Sequence, residues 1–253
     1  MKKTRRIRLR KKPVHDSHVQ ILTRNVRLYR VLPERLKRDL HGHVNVFLSE
    51  KKYIGCAGLE VTDEIRVTVA GQACLLLLNR EVTYFPGFST ILVYPDAYKT
   101  TEVIYDGDIE LHEEAVRAGE SWHRGPVVLS WKDVLRSASG VSDGYNVVLH
   151  EFAHKLDEEN DDADGLPILQ DRAYYEHWAQ ILSTEYRSLE GRIARGENCV
   201  LDEYGLTSPP EFFAVSTESF FEKPVLMKDR LPDLYEQLQR FYRLDPASWK
   251  EAG

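Results

Sequence analysis

What the 253-residue sequence lacks narrows its class before any motif is read. Its three cysteines, Cys56, Cys74 and Cys199, are odd in number and far apart. That excludes a disulfide-stapled scaffold and favours a reducing compartment. The longest uninterrupted apolar run is Ala73–Leu78, far short of the roughly 18 residues that span a bilayer. Pro13, Val14 and His15 follow the basic start where a secretory leader would need an apolar stretch. Zinc-finger spacing and a basic helix backed by heptads are both missing. These absences predict a soluble, cytoplasmic protein with no membrane contact and no direct nucleic-acid binding.

Acids are absent from residues 1–12, which hold eight basic side chains although the whole chain carries a formal −6. Residues 1–14 therefore read as a basic, flexible arm and 15–253 as a single domain of strongly acidic body. Hydrophobic residues make up 42% and charged residues 29%, so the domain can bury an ordinary core.

Along the domain, Leu32, Leu36, Leu40, Val44 and Phe47 recur at helical spacing. Thr62–Leu78 reads as a buried helix despite its β-branched residues and Gly71. Residues 90–94, 102–105 and 126–131 are short β-branched or aromatic runs, read as strands of one small sheet. Helices return over 144–157, 171–194, 209–222 and 233–243. Helices, then strands, then helices argue for an α+β fold.

The chemistry lies in the segment NVVLHEFAHKLD, residues 146–157, which contains HExxH. On a helix, His150 and His154 stand one turn apart on one face, where two imidazole nitrogens can meet one metal ion. Glu151 projects about 100° around the helix, beside the metal, where it can hold and deprotonate a water. Val148, Phe152 and Leu156 form an apolar anchoring stripe, and Ser142 or Asp143 is placed to cap the start. His112-Glu113-Glu114-Ala115-Val116 begins alike but has Val where a second ligand is needed, so it reads as surface.

A catalytic zinc needs a third protein ligand and an open position. The metzincin solution requires Gly and His beyond His154, where the chain has Glu158, Glu159 and Asn160. A carboxylate from a later helix is the other solution, and Glu211 and Glu218, two turns apart, both qualify. Glu211 also completes a capping box with Ser208, with Pro209 at the first helical position. Glu218 also suits an exposed acid or a partner of a ligand histidine. Spacing leaves the two open. Asp157 and Asn146 flank the motif, and Asp157 can either orient a histidine or cap the helix end.

The phrases NVVLHEFAHKLD and DEYGLTSPPEFFAVSTESFFEKP, about 60 residues apart, resemble the Mlc titration factor A family. These are zinc-dependent peptidases of the gluzincin group, related in their catalytic domain to anthrax lethal factor. The resemblance extends over most of the chain after the basic arm. It implies a zincin-like α+β metallopeptidase with a helical N-terminal part, a small mixed sheet and one zinc per chain. It implies His150, His154 and Glu211 as metal ligands, Glu151 as the catalytic glutamate and Tyr204 as the active-site tyrosine. Apart from the resemblance, Tyr204 also reads as a half-buried core tyrosine. The resemblance further implies aminopeptidase-like activity on peptide substrates and binding to a glucose-responsive, Mlc-like transcriptional repressor. A protein that only sequesters that repressor is the alternative.

Other motifs are incomplete. Gly87-Phe88-Ser89 has Ile91 where a nucleophile elbow needs Gly. Asn160–Gly165 begins like a calcium loop, but Asn160 stands first, Asp171 twelfth, and Pro167 interrupts, so it reads as a solvated acidic loop. The run 125–131, GPVVLSW, suits either a sheet edge that accepts a peptide or a fully paired inner strand.

Overall fold

The computed structural model describes residues 2–80, 83–106, 109–117, 119–121, 125–138 and 144–249, with backbone alone for 98–106, 109–117, 120, 121 and 138. The chain opens with α1 (Lys2–Arg10), α2 (Asp16–Asn25), α3 (Arg27–Val31) and α4 (Glu34–Glu50). Strand β1 (Lys52–Gly55) and helix α5 (Asp63–Ala73) follow, then β2 (Thr90–Tyr94), β3 (Tyr98–Asp106), β4 (Ile109–Arg117), β5 (Gly119–Ser121) and β6 (Val127–Ser130). The remainder is helical: α6 (Trp131–Ala138), α7 (Val147–Asp157), α8 (Arg172–Ala194), α9 (Pro209–Glu222), α10 (Pro224–Arg230) and α11 (Pro232–Tyr242). This is an α+β zincin-like arrangement, as the sequence suggested.

The principal sheet has the order β1-β2-β6-β5. β1, β2 and β6 run parallel, with Ile54 opposite Leu92 and Ile91 opposite Val127. β5 is antiparallel to β6 and ends the sheet. In β2, Ile91 and Val93 are buried at alternate positions, as a strand period of two gives, whereas every residue of the inner strand β6 is buried. Two expectations are thereby resolved. The run 125–131 supplies an inner strand, because β2 and β5 pair with its two sides. Residues 102–105 do not join this sheet; they lie in β3, which pairs along its whole length with β4 in a separate hairpin.

Helix α5 forms in spite of its β-branched residues because burial outweighs propensity. Thr62 caps it through Ile65 N, and Ile65, Val67, Val69, Ala70 and Ala73 are buried. Gly71 lets α2 come close, since a Cβ there would stand 2.4 Å from Leu22 Cδ2.

The basic segment read as a flexible arm is helical over Lys2–Arg10 and lies along α4. Nine residues are too few for an isolated helix in water. Tertiary contacts supply the rest: Arg6 forks onto Glu50 at 2.9 and 2.7 Å, and Asn45 Nδ2 donates to Lys12 O at 2.9 Å. No helix among the described residues is long and apolar enough to cross a membrane.

Candidate metal centre

Helices α7 and α9 build the site together. Asn146 caps α7 by accepting from Leu149 N at 3.0 Å. The sequence pointed to Ser142 or Asp143, which lie outside the described residues; Asn146 is the cap. The apolar stripe of α7 is anchored by Phe152, whose ring meets Phe85 at 4.9 Å and Phe47 and Phe88 at 5.6 Å between centroids. Burying one such side chain contributes roughly 1.5–3 kcal/mol. In α9, Ser208 accepts from Glu211 N and Pro209 occupies the first turn, while Phe212, Phe213, Phe220 and Phe221 are buried. The core thus fixes both helices, and their polar faces meet.

Between them, ligand atoms of His150, His154 and Glu211 all lie within 4.8 Å of one another. Nε2 of His150 is 2.9 Å from Glu211 Oε2 and 3.2 Å from Nε2 of His154, which is itself 3.3 Å from Glu211 Oε2. On its other edge, Nδ1 of His150 meets Glu218 Oε1 at 2.7 Å, a contact that places hydrogen on Nδ1. In the neutral ring, Nε2 then carries a lone pair aimed at a carboxylate oxygen. Glu211 Oε2 is buried and has no hydrogen-bond donor among the described residues. Electron-rich atoms therefore face one another, which a shared cation relieves. Two imidazoles and one carboxylate form a donor set that fits zinc and leaves room for solvent.

The carboxylates that face His150 also favour a proton on its ring. Burial opposes an imidazolium at His150, yet Glu218 and Glu211 raise its pKa well above the ordinary value. Burial likewise opposes a charged Glu211, but the two imidazoles outweigh it and hold the carboxyl well below the usual range. The carboxylates favour positive charge on His150, and the imidazoles favour the anion of Glu211.

Glu151 is buried beside this cluster and lines a cleft of about 830 Å³ together with His150, Tyr204 and Gly119 of β5. A Cβ on Gly119 would stand 2.4 Å from Glu151 Oε1 and 2.6 Å from Val147 Cγ2. Only glycine lets the edge strand approach so closely. Tyr204 is 47% exposed, with its ring 6.0 Å from that of His150. It faces the cleft and is not a core residue.

Glu218 is buried against the Nδ1 edge of His150, so of its three sequence readings the structure adopts the partner of a histidine. Its second oxygen accepts the backbone N–H of Asn146. Asn146 Nδ2 donates to Glu222 at 2.9 Å, and Glu222 pairs with Arg27 at 2.6 Å. Burial pushes both carboxyls up in pKa, and His150 and Arg27 respectively pull them back. Sequence reasoning missed Glu222 and Arg27, since 195 residues separate the pair.

Asp157 neither orients a histidine nor caps α7: its Oδ2 accepts from Gly165 N at 2.8 Å and ties down the acidic loop. Within that loop, Asn160 and Asp164 bond to nearby backbone, and its acids form no metal cluster among the described residues. His112–Val116 falls in β4, and its side chains lie outside the described set.

The sequence matches the profile of the glucose-regulated metallo-peptidase M90 family over residues 1–243. An uncharacterized protein of Synechocystis sp. is 38% identical over 237 residues, covering 93% of this chain and 86% of the relative. Mlc titration factor A of Klebsiella pneumoniae subsp. pneumoniae is 36% identical over 205 residues, 79% of this chain and 76% of that protein. Mlc titration factor A of Salmonella agona is 35% identical over 208 residues, with the same coverage.

Proposed function

We propose that this chain, which belongs to the glucose-regulated metallo-peptidase M90 family, is a cytoplasmic, zinc-dependent, aminopeptidase-like enzyme. The observation that carries the reading is the convergence of His150 Nε2, His154 Nε2 and Glu211 Oε2 beside the buried Glu151. In this reading the three residues hold one zinc ion. When bound, zinc lowers the pKa of water and polarises the scissile carbonyl.

The chain's own residues do the rest. Glu151 accepts the proton of the attacking water and returns it to the leaving amine. Tyr204, on the open side of the cleft, donates a hydrogen bond to the oxygen that becomes negative. Gly119 brings the edge strand against Glu151, so a peptide added to β5 as a further strand would present its carbonyl there. Glu218 keeps hydrogen on Nδ1 of His150 and leaves Nε2 free to ligate.

A second reading rests on the printed name of the Klebsiella and Salmonella relatives, Mlc titration factor A. In it, the chain sequesters an Mlc-like, glucose-responsive repressor that controls sugar uptake, and hydrolysis is incidental. Glu151→Gln distinguishes the two. The variant is expected to retain about one zinc per chain and lose peptide hydrolysis by 10²–10⁴-fold. Peptide-library digestion with metal analysis reads both properties. Undiminished hydrolysis rejects the assignment of Glu151, whereas an unchanged effect on the repressor supports sequestration.

A further inference from the structure

A second cleft, of about 1280 Å³, shares no described lining residue with the metal cleft. Lys2, Arg5, Arg6 and Arg8 of α1 form one wall. Pro86, Leu92 and Pro126 give it an apolar floor, with Phe85 and Phe88 buried beneath and Lys51 beside them. The four basic side chains of α1 thus meet one described carboxylate, Glu50, which Arg6 already engages through both oxygens, while the ammonium of Lys51 is buried. Arg5 and Arg8 have no carboxylate partner among the described residues. In a chain of formal charge −6 this is a concentrated positive recess.

The floor is built, not incidental. Tyr84 and Phe85 are consecutive non-glycine residues at φ 60° and 52°, a left-handed conformation that L side chains adopt at a cost. Lys51, only 7% exposed, holds the segment by donating to Phe85 O and Phe88 O, each at 2.7 Å. Arg6 lies 4.6 Å over the Tyr84 ring. The wall is equally fixed: Gly42 of α4 accepts α1 so closely that a Cβ would stand 3.0 Å from Arg10 O.

We propose that this cleft binds an extended acidic segment of a protein partner, with carboxylates against α1 and an apolar side chain on the floor formed by Pro86, Leu92 and Pro126. Lys2, Arg5 and Arg8 spread over about 9 Å of helix, more than one small anion can bridge. An extended chain rises about 3.3 Å per residue and reaches all three within three to four residues. A membrane would need a projecting surface, and this one is recessed. Polyphosphate would use only the charge of the cleft, whereas a peptide supplies apolar contact as well.

The test uses the full chain and three fluorescent probes: a capped peptide alternating Asp or Glu with Leu and Phe, its Asn/Gln counterpart, and a single-stranded oligonucleotide. Anionic phosphatidylserine vesicles form a fourth arm. Saturable binding of the acidic peptide is expected, at least tenfold tighter than its neutral counterpart and weakened by salt. Arg5→Glu/Arg8→Glu is expected to weaken it tenfold or more while hydrolysis of a small peptide stays unchanged. Arg5→Gln/Arg8→Gln, which preserves helix propensity, is expected to give a smaller loss and covers the case in which charge reversal unseats α1. Equal binding of both peptides, no binding, or indifference to both variants overturns the proposal. So does tighter binding of the oligonucleotide or vesicles with the same arginine dependence.

Discussion

Glu218 Oε1 lies 2.7 Å from Nδ1 of His150, while its other oxygen takes the backbone N–H of Asn146, the cap of the same helix. One carboxylate therefore sets both the ring's tautomer and the start of α7. Glu218→Ala is expected to weaken zinc binding 10–100-fold. Glu218→Gln, which keeps an acceptor for Nδ1–H, is expected to lose less. Competition with a chromophoric chelator measures both, and equal affinities for wild type and Glu218→Ala would reject the positioning role.

Tyr204 faces the cleft with its ring near His150. Tyr204→Phe is expected to lower kcat by 10²–10³ with little change in KM, as removal of a transition-state donor does. Steady-state kinetics on a peptide substrate decide; an effect confined to KM assigns the tyrosine to substrate binding.

Gly119 is a close approach between the sheet and α7. Gly119→Ala would place a methyl 2.4 Å from Glu151 Oε1. Activity is expected to fall at least tenfold while metal content and far-UV circular dichroism hold. A fully active variant would mean that β5 shifts freely, and the edge strand would lose its assigned part in aligning substrate.

Asp157 is buried, its Oδ1 lacks a hydrogen-bond partner among the described residues, and burial raises its pKa from 3.8 to about 6. The native state then holds the proton more tightly than the unfolded state. Its stabilising contribution is complete below about pH 3.8 and is lost as pH rises through 6. Asp157→Asn is expected to gain on wild type between pH 4 and pH 7, by at most about 3 kcal/mol. Thermal melts at pH 4, 6 and 8 measure the gap; a gap that is constant or closes with pH contradicts the burial argument.

The parts of the fold legible in the sequence were those fixed by local rules. Ser208, Pro209 and Glu211 marked the start of α9 because caps and first-turn prolines act within four residues. The pairing of His150 with His154 followed from helical period alone. Glu211 and Glu218 could not be separated by spacing for a physical reason: they contact opposite edges of the same imidazole, Nε2 and Nδ1. Strand β5 was illegible because three residues carry no period, and its place depends on pairing with β6. Helix α1 was not foreseen because its run of basic residues looks solvated; its contact with α4, Arg6 with Glu50, spans 44 positions.

The buried run from Arg27 through Glu222 and Asn146 to Glu218 bears on how the chain can be cut down for study. Trimming the leading helices would remove the guanidinium that neutralises Glu222 and strand that acid one turn from Glu218 on α9, both almost wholly out of water. Such a fragment would keep every proposed ligand yet lose the counter-charge of Glu222, so a minimal peptidase has to begin upstream of Arg27.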